Sequence, residues 1–250
     1  MDIAPDDRGE NIRREICLTL EQMGIYPERS HHEQGPGQNE IDFRYSDPLT
    51  AADNAMTFQT VVKTVAGCNG LIADFSPKPL ADKPGNGFHI NISAKADDNS
   101  DYLHQIIAGI LAKVCDMTLF LNPLNCSYQR FGNDKAPQYI SWSSENRSQL
   151  IRIPAAVGKY RRAELRSPDP TANSYLAFAL MIYAGLYGIQ NHLQLAEPTD
   201  INLYKANADV LSKFKMLPSS LRDACESALN SDFIKQHIPN EILEIYLSLI

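Results

Sequence analysis

The sequence lacks most of the features that reveal a function by composition alone. Its five cysteines (Cys17, Cys68, Cys115, Cys126 and Cys225) are scattered, with no CxxC pair. That set fits reduced thiols in a cytoplasm better than a disulfide framework or a zinc site. Positive charge is in deficit: 23 Lys and Arg against 30 Asp and Glu leave the chain at -7. Such a balance argues against a nucleic-acid partner. The most apolar run, YLAFALMIYAGLYGI at residues 175–189, has fifteen residues; it reads as a buried core helix, with no membrane partner expected. The N-terminal MDIAPDDRGE is acidic and polar, unlike a signal peptide. Repeats, linkers and low-complexity tracts are absent. A single domain over residues 1–250 is expected, with a helical tail from about 198 to 250.

What remains is the pattern of a globular protein, 44% hydrophobic and 21% charged. Ile12, Ile16, Leu20 and Met23 recur at helical spacing, with Gly24 as the stop. A strand is expected over Glu28–Glu33, then a Gly-Pro-Gly turn, then a half-buried strand in EIDFRY. Asp47 and Pro48 have the chemistry of an N-cap and first helical residue, for a helix to about Ala66. LIADF (71–75) reads as a short strand. In GFHINISA, Phe88, Ile90 and Ile92 share one face, and His89, Asn91 and Ser93 the other. An amphipathic helix over Tyr102–Val114, loop chemistry at 122–137, and strands near 138–143, 149–153 and 162–166 follow. The order predicts an α+β fold with a mostly antiparallel sheet.

Chemistry concentrates in two places. Six of the twelve arginines lie between 130 and 166: Arg130, Arg147, Arg152, Arg161, Arg162 and Arg166. With Lys135 and Lys159, this sector carries eight cations against three anions, Asp134, Glu145 and Glu164. A cationic sector in an acidic protein suits a small polyanion, because the guanidinium fork donates two parallel hydrogen bonds to carboxylate or phosphate. A basic solvated edge is the alternative. In HHEQGPGQNE (31–40), Glu33 and Glu40 flank the turn. With His89 and Glu164 they make four candidate ligands, three carboxylates and one imidazole, a set that favours Mg²⁺ or Mn²⁺ over zinc. A metal, arginines and the GNG turn before His89 together describe phosphoryl transfer.

Several blocks also resemble one family, the glutamine synthetases: HHEQGPGQNEIDFRY, PKPLADKPGNGFHINIS, NPLNCSYQRF, NRSQLIRIPAA and RRAELRSPDPTANSYLAFALMIYAGLYGI. The resemblance runs from about Asp2 to Glu197. It implies the family's catalytic-domain fold, a curved and mostly antiparallel sheet flanked by helices. It also implies an ATP-dependent ligase that joins glutamate and ammonia through γ-glutamyl phosphate. By that resemblance Glu33 and Glu40 would bind one divalent ion, and His89 and Glu164 a second. Gly85, Arg130 and Arg166 would bind glutamate. Arg147 and Arg152 would contact phosphates, with Arg147 and Arg130 catalytic. Glu28, Ser93 and Lys159 would line the ATP site. A homo-oligomer, or association with other synthetase subunits, is implied as well.

The sequence departs from the family in three ways. It begins after the family's N-terminal β-grasp domain and after a strand with two further metal-binding glutamates. Lys135 stands where the flap usually carries a glutamate that serves ammonium, and a cation there reverses the electrostatics. Pro84 replaces an asparagine before the NG turn. Three readings stay open: the catalytic part of such a ligase, a non-catalytic relative that binds nucleotide or a full-length synthetase, and a γ-glutamyl ligase with another amine acceptor.

Overall fold

The structure, a computed structural model, describes residues 7, 9–94, 100–133, 135–154 and 161–249. Its contacts divide the chain into two compact units, one of Met1–Phe75 with Pro79–Asn86, the other of Ser76–Lys78 with Gly87–Ile250.

The first unit runs α1 (Glu10–Gln22), β1 (Pro27–His32), β2 (Asn39–Phe43) and α2 (Pro48–Cys68). Gly24 leaves α1 at φ +82°, a conformation that costs glycine little. The two strands pair antiparallel, His31 opposite Glu40 and Ser30 opposite Ile41. Between them Glu33 N donates to Gln38 O and Gln38 N to Gly35 O, with Gly37 at φ +66°. Asp47 caps α2 as expected, accepting a hydrogen bond from Thr50 N, and Pro48 is the first helical residue. Ile16, Leu20, Ile25, Val61 and Val65 form the core, with Ile41 and Phe43 of β2 packed against it. LIADF forms no strand; its apolar residues Leu71 and Ile72 are exposed, Ile72 at 95%. Apolar residues without a paired neighbour do not make a strand.

The second unit holds β3 (Ile90–Ile92), α3 (Leu103–Leu121), a 3₁₀ turn (Asn125–Arg130), β4 (Trp142–Ser143), β5 (Ile151–Arg152), β6 (Ala163–Leu165) and α4 (Ser174–Gln190). The helices α5 (Ala208–Leu211), α6 (Leu221–Leu229), α7 (Asp232–His237) and α8 (Asn240–Leu247) complete it. The sheet order is β3-β6-β5-β4, antiparallel except for the β4–β5 pair. The class is α+β, as the pattern predicted. α3 runs seven residues beyond the expected end. It is long and apolar enough to cross a bilayer, but twelve of its residues are buried in this unit's core. It meets α4 backbone to backbone. A Cβ on Gly109 would lie 2.0 Å from Ala184 O, and one on Gly188 2.0 Å from Gln105 O. Only glycine permits that approach.

Candidate functional site

In the first unit the strand alternation sorts the polar residues. Ser30, His32, Asn39 and Ile41 share the face toward α1; His31 and Glu40 share the other. From α1, buried Arg13 grips the inner face. Its Nε donates to Ser30 Oγ (3.1 Å) and Nη1 to Asn39 Oδ1 (2.6 Å), while Asp7 takes Nη1 and Nη2 in a two-pronged pair. On the outer face His31 Nε2 lies 3.1 Å from Glu33 Oε1 and 4.0 Å from Glu40 Oε2. Donor atoms of the three residues all lie within 4.8 Å of one another. Burial, then the charges of Asp42 and Glu33, push the Glu40 carboxyl up to about 7, against the pull of His31. Carboxylates crowded enough to repel are suited to a divalent cation.

In the second unit the ladder sets Glu164 of β6 opposite Arg152 of β5 and Asn91 of β3. Adjacent residues on one strand face converge on Glu164. His89 Nδ1 is 3.3 Å from Oε1, Arg166 Nη1 donates to Oε1 at 3.1 Å, and Arg152 Nε sits 2.7 Å from Oε2. The last contact is a close ion pair, and Oε2 is buried. A buried, ionised carboxylate beside an imidazole is a donor pair that suits a divalent cation. Burial alone would raise the Glu164 carboxyl. The hydrogen bond to His89 and the charges of Arg166 and Arg152 outweigh burial and hold it down at about 2. Burial also pulls the His89 imidazole down against the raising effect of Glu164, which favours the uncharged form a metal ligand needs.

Arg130 ends the 3₁₀ turn and is 3% exposed. Its Nη1 donates to Ser167 O (2.9 Å) and Nη2 to Pro168 O (3.4 Å), while Nε is buried without a partner. The nearest countercharge, Asp169 Oδ2, is 4.0 Å away and already accepts from Asn122 Nδ2. Burial lowers the guanidinium to about 10, with Asp169 resisting. Gly87 keeps the neighbouring space clear: a Cβ there would lie 3.0 Å from His89 Nε2 and 3.4 Å from Arg130 Nη2.

The remaining sequence candidates are less tightly held. Glu28 is exposed, 3.9 Å from Arg44 Nε. Ser93 and Arg147 are exposed, and Pro84 is half-buried. Gly85 O accepts from Gln38 Nε2. Lys135 is half-buried at φ +72°, and its carbonyl accepts from Arg166 Nη2. Gly132 and Gln138, on either side of it, line a cavity of about 140 Å³ with Ser148 and Tyr204. Lys159 and Asp134 lie outside the described residues. Two of the six clustered arginines are engaged with surface partners: Arg161 binds Asp101 and His104, and Arg162 donates to Asn91 Oδ1. Sequence reasoning gave no role to His31 or Arg13, and took Gly87 only as part of the GNG turn. The HHE pattern signalled the first, and Arg13 had no local signal.

Each unit thus carries its own carboxylate-centred cluster, and the second unit carries buried arginines beside it. The model described as glutamine synthetase, catalytic domain, matches residues 1–249, and the chain belongs to that family. Glutamine synthetase of Staphylococcus aureus (strain MW2) is 43% identical over 262 residues, covering 99% of this chain and 59% of that protein. The Staphylococcus epidermidis (strain RP62A) enzyme is 42% identical over the same shares. A solved structure described as a GmaS/ADP complex superposes with a TM-score of 0.88 at 27% identity, covering 98% of this chain and 61% of that one. Apo GmaS without ligand gives 0.85 at 28% identity, covering 97% and 59%. The chain therefore spans about three-fifths of the length of these relatives.

Proposed function

We propose that this chain is the catalytic part of an ATP-dependent ligase joining glutamate to ammonia through γ-glutamyl phosphate. One observation carries the reading: Glu164 is held ionised in a buried pocket beside the His89 imidazole and the Arg152 and Arg166 guanidinium groups. Glu33 and Glu40 would hold one Mg²⁺ or Mn²⁺, and His89 and Glu164 another. Such ions, when bound, neutralise phosphate oxygens. Arg147 and Arg152 would contact the phosphates, with Glu28, Ser93 and Lys159 lining the nucleotide site. Arg130 and Arg166 would bind the carboxylates of glutamate, aided by Gly85. A desolvated guanidinium with a spare N–H binds an anion more strongly than an exposed one does. In this chemistry a γ-carboxylate oxygen attacks the terminal phosphorus of ATP and ADP leaves; ammonia then attacks the acyl carbon and phosphate leaves. Relatives named glutamine synthetase, and an ADP complex of GmaS, support the assignment. Free thiols at all five cysteines are consistent with the cytoplasm. The fully exposed Ile72 is consistent with association, either as a homo-oligomer or with other synthetase subunits.

Calorimetric titration of Mg²⁺-ADP into the purified chain tests the reading. Binding that requires the metal and disappears in Glu164→Ala is expected. Absence of binding at millimolar nucleotide would overturn it. Lys135 favours a second reading, in which the chain binds nucleotide without catalysing ligation, or ligates another amine. Phosphate release from ATP with glutamate and a panel of amines separates these: none for catalytic inactivity, ammonia-dependent for the first reading, selective for one amine for the last.

A further inference from the structure

We infer that the cation site of the first unit is a His–Glu–Glu site, with His31 as its third protein ligand, and that it selects Mn²⁺ over Mg²⁺. The inference deepens the reading that Glu33 and Glu40 hold a cation, and rests on it. Three observations lead to His31. The ladder sets it directly opposite Glu40, which brings the two Cβ atoms to about 4.5–5.5 Å on one strand face. Glu33 follows two residues later, and His31 Nε2 lies 3.1 Å from its Oε1 and 4.0 Å from Glu40 Oε2. Metal–ligand bonds of about 2.1 Å separate neighbouring donor atoms by about 3.0–3.4 Å. The His31–Glu33 distance already has that value, and the Glu40 carboxylate needs only a small side-chain rotation to reach it.

The adjacent histidine does not compete. His32 is buried on the opposite strand face, with Nδ1 2.6 Å from Glu33 O. The strands carrying the donors are also fixed from behind, since Arg13 bonds Ser30 and Asn39 on the inner face. An all-oxygen site suits Mg²⁺ well. Replacing one oxygen by imidazole nitrogen shifts preference toward transition ions along the divalent series.

The test is Mn²⁺ titration into the intact chain carrying His89→Gln, which removes the other candidate imidazole. Pulsed EPR reads hyperfine coupling to a directly bonded nitrogen. Nitrogen coupling is expected, and His31→Gln in the same background should abolish it. Mn²⁺ affinity should fall roughly tenfold or more, and Mg²⁺ affinity no more than about threefold. The His31 side chain is 38% exposed, so glutamine is accommodated; circular dichroism checks that the fold is kept. Mn²⁺ binding that Glu33→Gln and Glu40→Gln weaken, but that shows no nitrogen coupling, overturns the His31 assignment and leaves the carboxylate reading standing. Mn²⁺ binding indifferent to all three residues overturns both.

Discussion

Glu164→Ala should be among the most destabilising single changes in the second unit. The side chain is 8% exposed and is the shared counterion of Arg166, itself 3% exposed, and of Arg152 at 19%. Removing one partner of a buried pair leaves an uncompensated charge, at a cost of roughly 3–5 kcal/mol. For a chain of this size each kcal/mol shifts the midpoint by about 2–4 °C, so Tm should fall by roughly 6–20 °C. Glu164→Gln keeps an acceptor for Arg166 but loses the charge, and should cost roughly 1.5–3 kcal/mol. The folded carboxyl sits at about 2 against an ordinary 4.5. Its contribution is therefore complete above pH 4.5 and is lost as pH falls through 2. The Ala penalty should be constant from pH 7 to about 5. Urea and thermal unfolding of the metal-free chain, followed by circular dichroism, would measure it. A Glu164→Ala loss below about 1 kcal/mol at pH 7 would refute the claim that this carboxylate neutralises the buried arginines.

Arg13→Met should loosen both strands of the first unit, since it removes the bonds to Ser30, Asn39 and Asp7. Amide exchange in β1 and β2 should accelerate, and Mn²⁺ affinity should fall about 10–100-fold through misplaced ligands. Because Glu40 titrates near 7 rather than 4.5, protons compete with the cation, and Mn²⁺ affinity should drop about tenfold per pH unit below 7. In the metal-free chain the sign is the reverse of Glu164. The stabilising contribution is present below 4.5 and lost as pH rises through 7, so Glu40→Gln should flatten a neutral-pH decline in Tm. Gly109→Ala forces a Cβ to 2.0 Å from Ala184 O and should cost about 1–3 kcal/mol or more by thermal unfolding. Gly67→Ala in α2 meets nothing within 4 Å and should gain about 0.5–1 kcal/mol.

Local chemistry was the most legible part of the sequence. Asp47 and Pro48 announced a helix start because a cap is made within a few residues. The alternation in GFHINISA gave the correct sidedness: Ile90 joins the core, while His89 meets Glu164 and Asn91 meets Arg162. Strand extent was not legible, because it depends on what lies alongside; only Ile90–Ile92 are paired, and LIADF is not. The end of α3 was missed because an amphipathic pattern was sought in a helix that is buried on several sides. The candidate ligands Glu33, Glu40, His89 and Glu164 stand in recognisable motifs, while Arg13 does not. Its partners Ser30 and Asn39 are 17 and 26 residues away, and nothing in a lone arginine reports which strands it will hold.

The glycine seam between α3 and α4 also limits how the second unit can assemble. Sliding one helix by a residue advances it about 1.5 Å and rotates it by a fraction of a turn. Either Gln105 or Ala184 would then present a carbonyl to a neighbour that carries a side chain. Gly109 and Gly188 face each other in the observed alignment. An alignment displaced by one residue lacks that clearance, which favours the observed register over its immediate neighbours. The short strands of this unit thus inherit a scaffold whose alignment is set by two glycines rather than by the strands themselves.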